Sequence, residues 1–351
     1  MGFGVWTTVA DQSGGRDNNF NLLRMLAALG VLVSHSIPVT GGPDAPQILE
    51  GTLKGVTLGD ACVLIFFAVS GFFITQSFDR SRSLVSFVTN RVLRIFPALL
   101  VMLTLTVLAA GLWVTMTRDL TFWSEGLSYL LRNLLLFFSA PNLPGVFESH
   151  PFSPIVNSSL WTLSYEVICY GFVLICGVMG LFSGPRIFLI VLSLFAAALG
   201  IKASMDLGTR FETTLYLGLP FVIGMTVYVW RAYVPLTFWL VAVLAVLTTL
   251  LRNTELFLPM LIVALSYGSI LLGFASLPKL KAYNRLGDYS YGTYIYAFPL
   301  QQTGFALGFS DPLSNVIFAL PLAVFCAVLS WHAVEHPALG LKRWIAAPRP
   351  A

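Results

Sequence analysis

"RMLAALGVLVSHS", residues 24–36, lies inside an apolar run that begins at Phe20, and its reading decides the fold. The run looks built for lipid, yet it opens on Arg24 and carries His35 near its end. A charged side chain deep in a spanning helix costs on the order of 3 kcal/mol, so an ionisable group kept there is a functional candidate by default. At 100° per residue the two residues fall on nearly the same helix face, roughly 16 Å apart along the axis. That places Arg24 at one end of a span and His35 in its far half. Read structurally, the pair would be a snorkelling arginine and a histidine bonded to a neighbouring helix.

The rest of the chain fits a membrane setting. Of its 351 residues 57% are hydrophobic and only 10% charged, against about 25% charged in soluble domains. A chain of this composition has too little polar surface to cover itself in water. The net charge of +4 gives no basis for nucleic-acid binding. Cys62, Cys169, Cys176 and Cys326 all sit in apolar runs without a C-x-x-C pair and read as small buried hydrophobes. Residues 1–19 are polar and no small-residue cleavage site follows the first run, which is therefore expected to stay as a helix.

About ten runs approach the 20 apolar residues that a span needs. They are 20–38, 57–78, 92–116, 158–182, 186–201, 213–230, 234–251, 255–276, 288–308 and 314–334. The mixed stretch 121–139 suits a helix lying at the interface. The expected fold is thus an all-α polytopic membrane protein. It has a polar segment at 1–19, a membrane domain over 20–337 and a tail over 338–351. An even number of spans puts both ends on one side. If that side is the cytoplasm, most of the 20 lysines and arginines fall on it, including Arg80, Arg82, Arg91, Arg94, Lys279 and Lys281. The expected location is the inner cell membrane with both termini cytoplasmic.

Further polar groups recur at set depths. "FFAVSGF" (66–72) places Ser70-Gly71 in the second run, where glycine permits close backbone approach between helices. "SLWTLSYE" (159–166) brings Glu166 about two turns into the fourth run, to a depth like that of His35. A carboxylate there needs a partner, and His35 is the natural one, since a carboxylate fixes the imidazole tautomer and strengthens the other nitrogen as a base. Tyr165, Ser70 and Tyr291 stand next as partners for His35. "RVLRIFP" (91–97) sets Arg91 and Arg94 one turn apart on a face. Arginine forks match phosphate, although positive-inside anchoring explains the pair equally well.

Taken in order, these motifs resemble acyltransferase family 3. The family pattern is an Arg separated by ten residues from a His (Arg24, His35), then F-F-x-x-S-G-F/Y, R-x-x-R-I-x-P, and S-L-W-x-L-x-x-E. A late S-Y-G-x-Y ("SYGTYIY", 290–296) and a final acidic-x-Pro (Glu335-His336-Pro337) complete it. The likeness runs from Asn19 to Pro337. Where the family often has a histidine two residues before a late proline, this chain has Ala297, which excludes a catalytic histidine at that place.

The resemblance implies transfer of an acyl group, usually acetyl, from acyl-CoA to a hydroxyl of a cell-surface carbohydrate, free or lipid-linked. It implies His35 as base with Glu166 orienting it, and a donor site built from Arg91, Arg94, Arg24 and Ser70. Acetyl-CoA enters as substrate, and direct transfer and a histidine-bound acyl intermediate both fit. The competing class is a proton-coupled or solute transporter using the same His, Glu and Arg. "HAVEH" (332–336) has the spacing of a zinc pair, but a zinc site needs a third protein ligand, so no metal is expected.

Overall fold

The computed structural model describes residues 7–15, 18–114, 120–136, 140–205, 208–275 and 282–342. Over these the chain is helical, with no strand and two isolated bridges, Thr8–Pro235 and Asn142–Ile155. Arg16, Lys279, Lys281, the ends of two expected helices at 115–116 and 137–139, and the tail from Arg343 lie outside the described residues.

The helices are α1 (Val9–Ser13), α2 (Phe20–Gly41), α3 (Leu58–Asp79), α4 (Leu84–Ala109), α5 (Leu120–Leu134), α6 (Trp161–Val178) and α7 (Pro185–Ser204). After them come α8 (Thr209–Val229), α9 (Phe238–Leu250), α10 (Phe257–Phe274), α11 (Ser290–Ala306), α12 (Pro312–Ser330) and α13 (His336–Gly340). Every expected run is a helix, but among the described residues only eight are long and apolar enough to cross a membrane. The two remaining expected runs are shorter helices. The helix α9 has 13 residues, roughly 20 Å at 1.5 Å per residue, against an apolar layer of about 30 Å. The helix α11 has 17 residues and is mostly buried, and it carries Ser290, Thr293, Gln301 and Gln302 inside the protein. The amphipathic α5 occupies the place expected for the interfacial helix.

The chain divides into two compact units. The first comprises residues 1–24, 63–84 and 165–287. Its core stacks Phe20, Phe72, Phe73, Phe274 and Tyr228 edge to face. Here α3 and α8 touch backbone to backbone. A Cβ on Gly71 would stand 2.0 Å from the Phe221 carbonyl oxygen, and one on Gly224 2.1 Å from that of Ala68. The "SG" of the second run is therefore a packing device at its glycine. Gly71→Ala should cost about 1–3 kcal/mol, because the helices have to part. Gly268→Ala, where a Cβ meets nothing within 4 Å, should cost nothing. Thermal unfolding of detergent-solubilised protein checks both, and equal stability of the two variants would refute the close crossing.

The second unit comprises residues 25–62, 85–164 and 288–351. Its helices α11 and α12 pack through small residues, with Ala319, Ala323 and Ala327 fully buried and a Gly292 Cβ falling 2.8 Å from the Ala327 Cα. Leu32 of α2 joins Ala297 and Ala323 in this core.

Candidate active site

The helix α11 is the spine of the second unit, and what it touches at successive turns lays out the site. Pro299 lies inside it. Proline has no N–H, so the carbonyl four residues back, that of Ile295, loses its helical partner. Asn157 supplies one: its Nδ2 donates to the Ile295 oxygen at 3.0 Å, while its Oδ1 accepts from the Ser159 amide and caps the turn that starts α6. One asparagine thus satisfies two backbone deficits and ties the "SLW" turn to the spine. Beside it, the hydroxyls of Thr162 and Tyr294 are hydrogen-bonded at 2.7 Å.

Next to this proline turn stands His35. Its ring meets Phe298 edge-on, with centroids 5.3 Å apart. Its Nδ1 is buried and takes no hydrogen bond from any described residue. Buried polar atoms nearly always have a partner, and an exception calls for an explanation, a catalytic role among them. One turn further along the spine, Gln301 donates to the Leu32 carbonyl at 2.8 Å and pins α2 alongside.

Arg94 sits at the other end of α11. Its guanidinium bridges two carboxylates, Asp288 at 2.6 Å and Glu335 at 3.0 Å, and lies 5.7 Å from the ring centroids of both Tyr291 and Trp331. Tyr291 in turn donates to the Ile95 carbonyl. Glu335 is only 1% exposed. It reaches inward because Trp331–Glu335 is a π-helical turn, in which the His336 amide bonds the Trp331 carbonyl. Glu335 thus pairs with a residue of the α4 helix. Two carboxylates balance this one guanidinium. Arg91, one turn earlier on α4, is half-buried with its guanidinium 6.0 Å from the Phe87 ring centroid.

Three of the sequence-derived site residues belong to the first unit. Glu166, on α6, accepts a hydrogen bond from Tyr170 one turn along the same helix. Ser70, on α3, is half-buried and its hydroxyl makes no hydrogen bond among the described residues. Arg24 is half-buried near the start of α2. His35, Arg91 and Arg94 belong to the second unit, so α2 carries Arg24 and His35 on one helix but in different units.

Sequence reading missed Asp288, Asn157, His150, Gln301 and Gln302. A signal existed for the last two, since "QQ" inside an apolar run is as anomalous as Arg24 and His35. His150 lies in a loop that only the fold brings to α11.

Comparison with known proteins gives a consistent picture. A family described as an acyltransferase domain matches residues 17–332. The chain is 29% identical over 347 residues to an O-acetyl transferase of Shigella phage Sf6, covering 91% of this chain and 95% of that one. It is 27% identical over 370 residues to nodulation protein 10 of Rhizobium leguminosarum bv. viciae, covering 97% and 98%. No solved structure matches it significantly.

Proposed function

The chain belongs to the acyltransferase family whose domain spans it, and from that premise we propose that it moves an acetyl group from acetyl-CoA to a hydroxyl of a cell-surface carbohydrate. It is a multi-pass membrane O-acyltransferase. The observation that carries the proposal is the buried, unbonded Nδ1 of His35, held against Phe298 beside the Pro299 turn. A histidine not taken up by the protein's own hydrogen bonds is suited to receive a proton from an acceptor hydroxyl. Glu166 is the proposed carboxylate that supports it.

The donor is proposed to enter from the cytoplasmic side of the inner membrane, with both termini on that side; eight spans, like ten, keep them together. Its phosphates are assigned to Arg91 and, through the family resemblance, to Arg24, with Ser70 as a further donor-site group. Arg94 is reassigned: two carboxylates hold it, and its role is to position the inner end of α11.

Arg91→Ala should raise the donor KM about ten-fold or more, the scale of one charge-assisted hydrogen bond of about 1.5–3 kcal/mol, with the acceptor KM unchanged. An unmoved donor KM would make Arg91 a membrane anchor only. The proposal as a whole is tested by incubating purified protein with radiolabelled acetyl-CoA and following thiol release and label transfer to carbohydrate. No thiol release, together with substrate uptake by proteoliposomes, would replace the enzyme reading with transport.

A further inference from the structure

The segment 140–157 folds back onto the spine and brings a second histidine to it. Gln302 holds the segment: its side-chain nitrogen donates to two backbone carbonyls, those of Phe152 at 3.1 Å and Ile155 at 2.7 Å. Two acceptors facing that nitrogen fix which way the amide points, so its oxygen faces His150 Nδ1, 2.9 Å away. A carbonyl oxygen can only accept. Neutral His150 therefore carries its proton on Nδ1 and has its lone pair on Nε2. The ring is held between Phe147 and Phe305, each 4.8 Å away between centroids. No described residue bonds Nε2, and His150 is half-buried. Orientation and tautomer are thus set for a hydrogen-bond acceptor turned toward a ligand.

Its place makes the target specific. Gln302 lies one helical turn beyond Phe298 on α11 and on the same face. Phe298 touches both His35 and Phe152 of the folded-back segment. The two histidines therefore contact one face of one helix, at positions roughly 6 Å apart along its axis, at the end away from Arg94. We propose that His150 is an acceptor-binding, specificity-determining residue. Its Nε2 accepts a hydrogen bond from a second hydroxyl of a polyhydroxy substrate, a carbohydrate, while His35 serves the hydroxyl that is acetylated. This rests on the acyl-transfer reading above and names the acceptor class. A monohydric alcohol has nothing to offer Nε2. A site built to bond a hydroxyl discriminates against an analogue that lacks it, because a buried polar group is then left unpaired.

The probe is a panel of methyl hexopyranosides and their monodeoxy analogues, given to the full chain in detergent with acetyl-CoA. His150→Ala should raise the KM of accepting glycosides about three- to ten-fold. It should erase the preference for one parent sugar over its deoxy analogue, and leave the donor KM unchanged. Independently of any variant's folding, diethyl pyrocarbonate should acylate His150 in the unaltered protein, and an accepting glycoside should protect it, as mapped by mass spectrometry. An unchanged glycoside KM, or no protection by a glycoside that is acetylated, overturns the assignment. Acetyl-CoA turnover without acetylation of any glycoside overturns it too while acyl transfer stands. No turnover of acetyl-CoA at all removes the reading beneath it.

Discussion

Purified His35→Ala is expected to insert, fold and bind donor, and to lose acyl transfer by about 10²–10⁴-fold, the range for a general base. The structure explains why fold and activity should separate here. His35 Nδ1 bonds no described residue, so removing the ring orphans no donor or acceptor of the protein. What is lost is an edge contact with Phe298, on the order of 1 kcal/mol. His35→Gln keeps much of the volume without the basicity and should be equally inactive. Thermal stability and label transfer measured on the same preparation check this; activity within three-fold of the unaltered protein would remove His35 from the chemistry.

How much of this was legible in sequence varies with the kind of interaction. Apolar runs announce helices because length and composition are local, and each expected run is a helix. Whether a helix faces lipid or protein is not local. The helix α11 reads as one more apolar run, yet it is sheltered by its own unit, and its glutamines bond the Leu32, Phe152 and Ile155 carbonyls. His35 was legible because lipid makes any ionisable group costly, and an anomaly of cost shows in one dimension.

The missed residues share the opposite property. Asn157, His150 and Asp288 sit in polar loops, where their types are ordinary, and they acquire a role only through partners far along the chain. Arg94 stands out in sequence too, but its partners do not. An arginine near a basic cluster suggests an anion, and nothing in "RVLRIFP" reveals that Asp288 and Glu335 fold back onto it.

Arg94 is accordingly the site of the second large effect. Arg94→Met should destabilise the protein by about 3–5 kcal/mol, the cost of leaving a buried carboxylate without its counter-charge. Glu335 bears most of it, being 1% exposed against 14% for the Asp288 side chain; each carboxylate keeps one serine hydrogen bond, from Ser330 and Ser290. Arg94→Lys should recover only part, since one ammonium cannot present two separated nitrogens to two carboxylates. The discriminating variant is the double substitution Arg94→Met with Glu335→Gln, which removes the buried charge along with its partner. If Arg94 positions the π-turn and the inner end of α11, the double variant regains stability over Arg94→Met and its donor KM returns toward normal with it. If Arg94 instead holds donor phosphate, stability returns while the donor KM stays raised about ten-fold or more. Unfolding and donor kinetics on the two variants therefore separate a residue that holds the site from one that holds the substrate. The two carboxylates already within 3.0 Å of its guanidinium nitrogens favour the first.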